Sequence, residues 1–379
     1  MASIKKYSTA AGDRYRVRYR KPDGTQTDRR GFATKKAAEV WAADNTVSLN
    51  AGTWVDPRHG KTTVGELGEE WLARRSRLKR SARQRLVTTW EVRVKPRWEH
   101  TPIADIRPTQ VQAWLDGLTI VPKRDDAEPR ALGATGVIYA HQVLNGILAD
   151  AVRDRMLTAN PCSGMTLPRK GQKRKVYLTH ETLHRFVDEV AAGSVDAQAR
   201  SVLVLTLGYT GLRWGEATGL RVRGVNALRR RLVIRDNAVE VNGEIEVGTT
   251  KGHRERTVPV PEFLMARIVE QCEGKGPDDL VWAHPGGGYL PLPPYTRGWW
   301  QQAVKRAEIP RITPHDLRHT AASLAVSAGA NVKALQKMLG HVSAAMTLDV
   351  YADLFDDDLD DVSRRLDEAV GRMWANGGV

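Results

Sequence analysis

Residues 313–351, TPHDLRHTAASLAVSAGANVKALQKMLGHVSAAMTLDVY, carry enough start and stop signals to leave the backbone little choice. Thr313 is a good N-cap and Pro314 suits a first helical turn, so a helix is expected from here to about Ser327, with Gly329 as a left-handed stop. A short second helix should cover residues 332–339 and end at Gly340, with His341 just past the stop. Ser343 can cap a third helix, which carries Tyr351. His315 and Arg318, three apart, then share one helical face. An imidazole beside a guanidinium suits a phosphodiester, because arginine binds two phosphate oxygens at once and stays charged. Taken singly, the pair also reads as a solvated face, and Tyr351 as half-buried packing.

Two features upstream narrow this. The apolar run VLVLTLGY (residues 202–209) leads into Thr210-Gly211-Leu212-Arg213-Trp214-Gly215-Glu216, so a buried helix should end in a glycine-bounded turn that presents Arg213. Glu216 follows one turn later, to steady Arg213 or Lys251 or to make a plain surface salt bridge. Between the two regions lies Thr249-Thr250-Lys251-Gly252, with strand-like residues 244–247 and 256–260 on either side. Lys251 is therefore expected on a hairpin tip, where a long cation can reach into a groove.

Arg213, Lys251, His315-x-x-Arg318, Gly340-His341 and Tyr351, in this order, resemble the tyrosine recombinase or phage-integrase family. The resemblance implies that Tyr351 attacks a scissile phosphate and forms a 3'-phosphotyrosyl intermediate. It makes Arg213 and Arg318 a clamp on the non-bridging oxygens. His315 and His341 would bond the phosphate and assist proton transfer, and Lys251 would be the acid for the leaving 5'-hydroxyl. The spacing from His341 to Tyr351 is one residue longer than in the commonest members, but no other tyrosine lies downstream of His341. Physical chemistry agrees with this casting. A phenol with an unperturbed pKa of about 10 is a poor nucleophile without cations or a base beside it. Cations gathered round one phosphate would also stabilise the charge of the transition state. No metal and no cofactor is expected: the chain has no two-metal carboxylate cluster and no Walker-type glycine loop.

A formal net charge of +14 favours a polyanionic partner. Cys162 and Cys272 are far apart and form no Cys-x-x-Cys pair, so neither zinc site nor disulfide framework is indicated. The N-terminus lacks a signal-peptide core, and no run approaches the roughly 18 apolar residues of a membrane span. A cytoplasmic protein, acting on DNA in a bacterial host, is expected.

The fold class expected is mainly α with small β-sheets (α+β), in three parts. The first part covers residues 1–58; the first 63 residues hold 13 Lys/Arg against 6 Asp/Glu, and RYRVRYR (14–20) alternates with period two. Residues 26–31 can return as a partner strand after the turn at Pro22-Asp23-Gly24, and Thr34 opens a helix through Trp41 to about Asn45. The sheet, backed by the helix that carries Lys35, can place Arg16, Arg18 and Arg20, with Lys35, in a DNA groove or simply be a solvated edge. This part resembles, more loosely, the arm-type DNA-binding domain of larger phage integrases. Residues 54–61 look like a linker.

Residues 63–166 read as a helical bundle resembling the family's core-binding clamp. A capping box at Thr63–Glu66 starts it, further helices are expected near 87–94 and from Pro108, and the longest covers 134–156. Residues 78–80 (Leu78-Lys79-Arg80) of the basic run 74–85 are candidate DNA contacts, as are Lys173 and Arg174 in the basic linker 168–175, although such runs are as often solvated. Residues 176–379 form the catalytic part, with Thr179 capping its first helix and residues 232–235, 244–247 and 256–260 as a small sheet. Residues 352–379 hold 8 acids and 3 bases; Leu354, Phe355, Leu359, Val362, Leu366 and Val370 describe an amphipathic tail helix, packed in cis or on a neighbouring protomer.

The reading is a site-specific recombinase for integration and excision of a mobile element. Its implied partners are double-stranded DNA at core and arm sites, three further copies in a tetramer that passes through a Holliday junction, a host DNA-bending factor and an excision directionality factor; no membrane is implied. Rival readings are a type IB topoisomerase-like or telomere-resolving enzyme, and a catalytically silent DNA-binding protein on the same scaffold.

Overall fold

The computed structural model describes residues 2–52, 54–56, 58–120, 128–171, 175–193, 196–241, 243–249, 255–352, 364, 366–368, 370–372 and 374. The chain divides into two compact units, Met1–Gln172 and Lys173–Val379, built mainly of helices with small antiparallel sheets, an α+β architecture.

The first unit begins with a three-stranded meander, β1 (Ser3–Thr9), β2 (Gly12–Arg20) and β3 (Gln26–Phe32). The period-two pattern of β2 buries Val17 and Tyr19, and Tyr19 meets Trp41 of helix α1 (Lys35–Asn50) edge-on at 5.2 Å. Strand β1 was not expected, because SIKKYST has no clean alternation: only Ile4 and Tyr7 are partly buried. Residues 54–56 are not a free linker. Trp54 donates to Asn45 Oδ1 (2.8 Å), and Asp56, 6% exposed, takes Lys21 Nζ at 2.7 Å. Arg58 and then Lys21 hold that carboxyl well below the usual range.

Helix α2 (Val64–Ala73) starts at the Thr63–Glu66 capping box. Helix α3 (Arg80–Thr89) begins inside the basic run and continues through a π-helical turn, Trp90–Val94, into α4 (Lys95–Trp98), so helix starts earlier than the apolar stripe alone indicates. After α5 (Pro108–Asp116) a two-stranded ribbon, β4 (Thr119–Ile120) and β5 (Arg130–Ala131), leads to α6 (Ala134–Arg153). The α6 stripe of Leu144, Ile147 and Leu148 shares one core with Trp71, Trp90 and Trp98.

The second unit is centred on one helix. Following α7 (His180–Ala191), whose cap Thr179 accepts from Thr182 N, comes α8 (Ala197–Thr210); every residue from 201 to 208 is buried, as a helix that is apolar on all its faces over this run requires, and the Thr206 hydroxyl is satisfied by Val202 O. After α9 (Trp214–Thr218), strands β6 (Val225–Asn226) and β7 (Arg231–Ile234) precede a hairpin of β8 (Asp236–Val241) and β9 (Glu244–Thr249). Strand β10 (Arg256–Pro259) then pairs with β7, giving the order β10-β7-β6. This corrects the expected hairpin around Lys251. Strands β9 and β10 belong to different sheets, because Leu232, Ile234 and Val258 bury β7 and β10 together while β9 finds its partner in the unpredicted β8.

Helices α10 (Glu262–Glu270), α11 (Trp299–Arg306) and α12 (Pro314–Ser327) complete the core; α13 (Val332–Leu339), stopped at Gly340, and α14 (Ala344–Tyr351), capped by Ser343, follow as expected. The described residues between 364 and 374 are helical, with Leu366 and Val370 exposed; Leu354, Phe355, Leu359 and Val362 lie outside the described residues. No helix among the described residues is long and apolar enough to cross a membrane.

Helix α8 stops at Gly211 in the left-handed region (φ 64°), where a Cβ would stand 2.6 Å from Leu339 Cδ2. Gly211→Ala is therefore expected to destabilise the protein by about 1–3 kcal/mol, read as a lower denaturation midpoint with an unchanged slope.

Candidate active site

The site begins with a buried arginine. Arg318 on α12 is 2% exposed, and its guanidinium donates to two helix-end carbonyls: Nη1 to Gly211 O, at the end of α8, and Nη2 to Leu339 O, at the end of α13, both 2.6 Å. Helix C-termini leave such carbonyls without intrahelical partners and carry partial negative charge, so they suit a desolvated cation. Burial, then the nearby charge of Arg213, pushes Arg318 down to about 10, so it stays protonated at neutral pH.

Arg213, just after the Gly211 turn, is the N-cap of α9. Glu216, 1% exposed, accepts from Arg213 Nη1 (2.7 Å) and backbone N (2.8 Å) and takes both terminal nitrogens of Arg256 on β10 (2.8 and 2.7 Å). Burial alone would raise its carboxyl, but Arg256 first, then Arg213, hold it down at about 2. A fixed anion thus orients two arginines. Arg256 also lies under Gly340 (φ 67°), where a Cβ would meet its Cδ at 2.8 Å.

Tyr351 ends α14 and is 1% exposed. Its hydroxyl lies 3.0 Å from Nδ1 of His319, and its ring stacks on His341 at 6.2 Å and 11°. His341 Nδ1 pairs with Thr347 Oγ1 at 3.0 Å. Lys175 donates to Val350 O and sits 5.7 Å from the Tyr351 ring. His315 stands edge-on to His319, 5.1 Å away, with one side open to solvent. Burial lowers all three imidazoles: His341 to about 4 with help from Arg318, His319 to about 4 with help from His315, and His315 below its ordinary value with help from Arg318. At neutral pH they are uncharged groups among guanidiniums, able to accept as well as to give a proton.

Arg213, His315, Arg318, His341 and Tyr351 are linked by these contacts and fields; Lys251 lies outside the described residues. Sequence reading passed over His319, Arg256 and Lys175. His319 had a signal: it follows His315 by four and so shares its helical face. The other two act through tertiary neighbours that no local pattern announces.

Residues 176–357 match the model of the phage integrase family. Over 357 residues, 90% of this chain and 90% of the relative, the sequence is 29% identical to the integrase of Mycobacterium phage D29. Residues 176–357 belong to the phage integrase family of tyrosine recombinases. The recombinase also shares its fold with the Tn1549 transposon integrase solved in complex with transposon right end DNA (TM-score 0.64, 20% identity, 82% of this chain and 100% of that one). A lambda integrase tetramer bound to a Holliday junction is similar as well (TM-score 0.56, 16% identity, 89% and 96% of the two chains).

The recombinase's candidate DNA contacts divide into groups. Arg16 and Arg18 both lean on Asp28 (3.3 and 3.0 Å), Arg20 donates to Gly24 O (3.2 Å), and Lys35 pairs with Glu39 at 3.5 Å. Lys79 and Arg80 are exposed at the start of α3, whereas Leu78, also exposed, carries no charge and drops out as a phosphate partner. Lys173 and Arg174 lie outside the described residues.

Glu216→Gln should destabilise the recombinase by about 2–3 kcal/mol in chemical denaturation, less than a fully buried pair because the Arg213 side chain keeps 31% exposure. The lowered histidines give a second expectation. Between pH 6.5 and 4 the unfolded chain binds protons that native His319 and His341 refuse, so stability falls as pH drops through that window. Thermal midpoints measured from pH 7 to 4 would check it; a flat profile would contradict it.

Proposed function

We propose that the recombinase cuts and rejoins DNA at attachment sites through a 3'-phosphotyrosyl link to Tyr351, for integration and excision of a mobile element. The observation that carries this is a buried tyrosine hydroxyl held at an imidazole, beside an arginine fixed by two helix ends. Arg318 has N–H donors beyond the two spent on carbonyls, and Arg213 is aimed by Glu216; together they bind the non-bridging oxygens of the scissile phosphate. Their charge stabilises the pentacovalent transition state. His315, on the open side, and His341, stacked on the nucleophile, donate to the phosphate or shuttle protons. Lys251 protonates the departing 5'-oxygen. Because the phosphotyrosine conserves the bond energy, the 5'-hydroxyl of a second strand can reseal it with no external energy source.

Residues 1–58 act as the arm-site module, 63–166 as the core-site clamp and 176–379 as the catalytic part. Four copies assemble on core DNA, and arm sites, a host bending protein and a directionality factor control the direction of exchange. The relatives' DNA complexes and the lambda tetramer support that assembly by likeness of fold.

A nicked suicide duplex bearing the element's own attachment core, without magnesium or ATP, tests the chemistry. Wild type should give a DNA-linked band and Tyr351→Phe none, with DNA binding retained; no wild-type band on a core site that is bound would overturn the reading. Deleting residues 1–60 should spare core binding and cleavage and abolish integration. Full integration by the truncated protein would remove the arm role.

A further inference from the structure

We propose that His319 is the proton acceptor for Tyr351: its Nδ1 on α12, 3.0 Å from the phenolic oxygen at the end of α14, takes the proton as that oxygen attacks phosphorus. This rests on Tyr351 being the nucleophile.

The neighbouring groups are worse placed. His341 lies parallel to the phenol ring rather than at its hydroxyl, and its Nδ1 is held by Thr347. Lys175 reaches the Val350 carbonyl and the face of the ring rather than the hydroxyl. His315 meets the edge of His319, not the phenol. Arg318 and Asp316, on the same helix, complete the charged surroundings of His319.

Those surroundings also gate the base. Burial first, then His315, with Lys175 and Arg318 adding and Asp316 opposing, keep His319 neutral, the form that accepts. A phosphodiester bound by Arg213 and Arg318 brings a negative charge that offsets the positive field and raises the basicity of His319 when substrate arrives. The base is weak until the scissile phosphate is in place, which protects the resting nucleophile. In cleavage the Tyr351 O–H bond breaks with its proton going to Nδ1, the phenolic oxygen bonds to phosphorus, and the P–O5' bond breaks with the 5'-oxygen taking a proton from Lys251. Resealing runs these steps backwards, and the His319 imidazolium returns its proton to the tyrosine.

The test is single-turnover cleavage by the full chain on two suicide duplexes, one ordinary and one with sulfur in place of the bridging 5'-oxygen, whose thiolate leaves without an acid. His319→Asn, which keeps an oxygen acceptor near Nδ1 but cannot take a proton, and His319→Phe should both bind core DNA normally and cleave about 100- to 1,000-fold more slowly. The sulfur substrate should rescue Lys251→Ala and not the His319 variants. Their rates should recover towards wild type only as pH approaches the phenol's own pKa of about 10. His319→Asn cleaving at the wild-type rate, rescue of His319 variants by sulfur, or an equal loss at every pH would each overturn the proposal. An adduct from Tyr351→Phe would instead remove the nucleophile reading beneath it.

Discussion

The second unit hangs on the guanidinium of Arg318. Held by Gly211 O and Leu339 O, it ties the end of the central helix α8 to the end of α13, and so fixes the turn that presents Arg213 and the stop that precedes His341. A buried cation with empty surroundings would be costly; two helix-end carbonyls offset that cost and leave donors over for an anion. The two glycines that allow this approach, Gly211 and Gly340, leave no room for a side chain, since Leu339 and Arg256 occupy the space a Cβ would need.

Around this anchor the charges are fixed by short contacts. Glu216 is a buried, firmly held anion, and it is consumed in orienting Arg213 and Arg256 rather than in neutralising Arg318. The histidines stay uncharged because burial and the arginine field disfavour a further positive charge. The donors of Arg213 and Arg318 are thus held in place by the protein's own groups, the arrangement that preorganised electrostatic stabilisation of an anion requires.

Much of this was legible in the sequence where local chemistry decides structure. The caps at Thr313 and Ser343, the stops at Gly211 and Gly340, and the apolar run 202–209 of α8 are each written in a few adjacent residues, and the helices appear where those signals put them. What failed depended on partners distant in sequence. Residues 244–249 and 256–259 look like the arms of a hairpin, but pairing was decided by which strands could bury Leu232 and Val258, so β9 went to β8 and β10 to β7. Arg256 and Lys175 looked like ordinary basic residues until β10 came under Gly340 and the start of the second unit reached Val350. His319 was readable from its spacing, but its value lies in meeting a hydroxyl 32 residues away.

The central claim is that this cluster exists to carry a phosphate on one particular oxygen. Peptide mapping by mass spectrometry of the trapped DNA–protein adduct, after nuclease and protease digestion, tests it most directly. The account predicts a single phosphonucleotide-bearing peptide whose modified residue is Tyr351. A link to any other residue would contradict it.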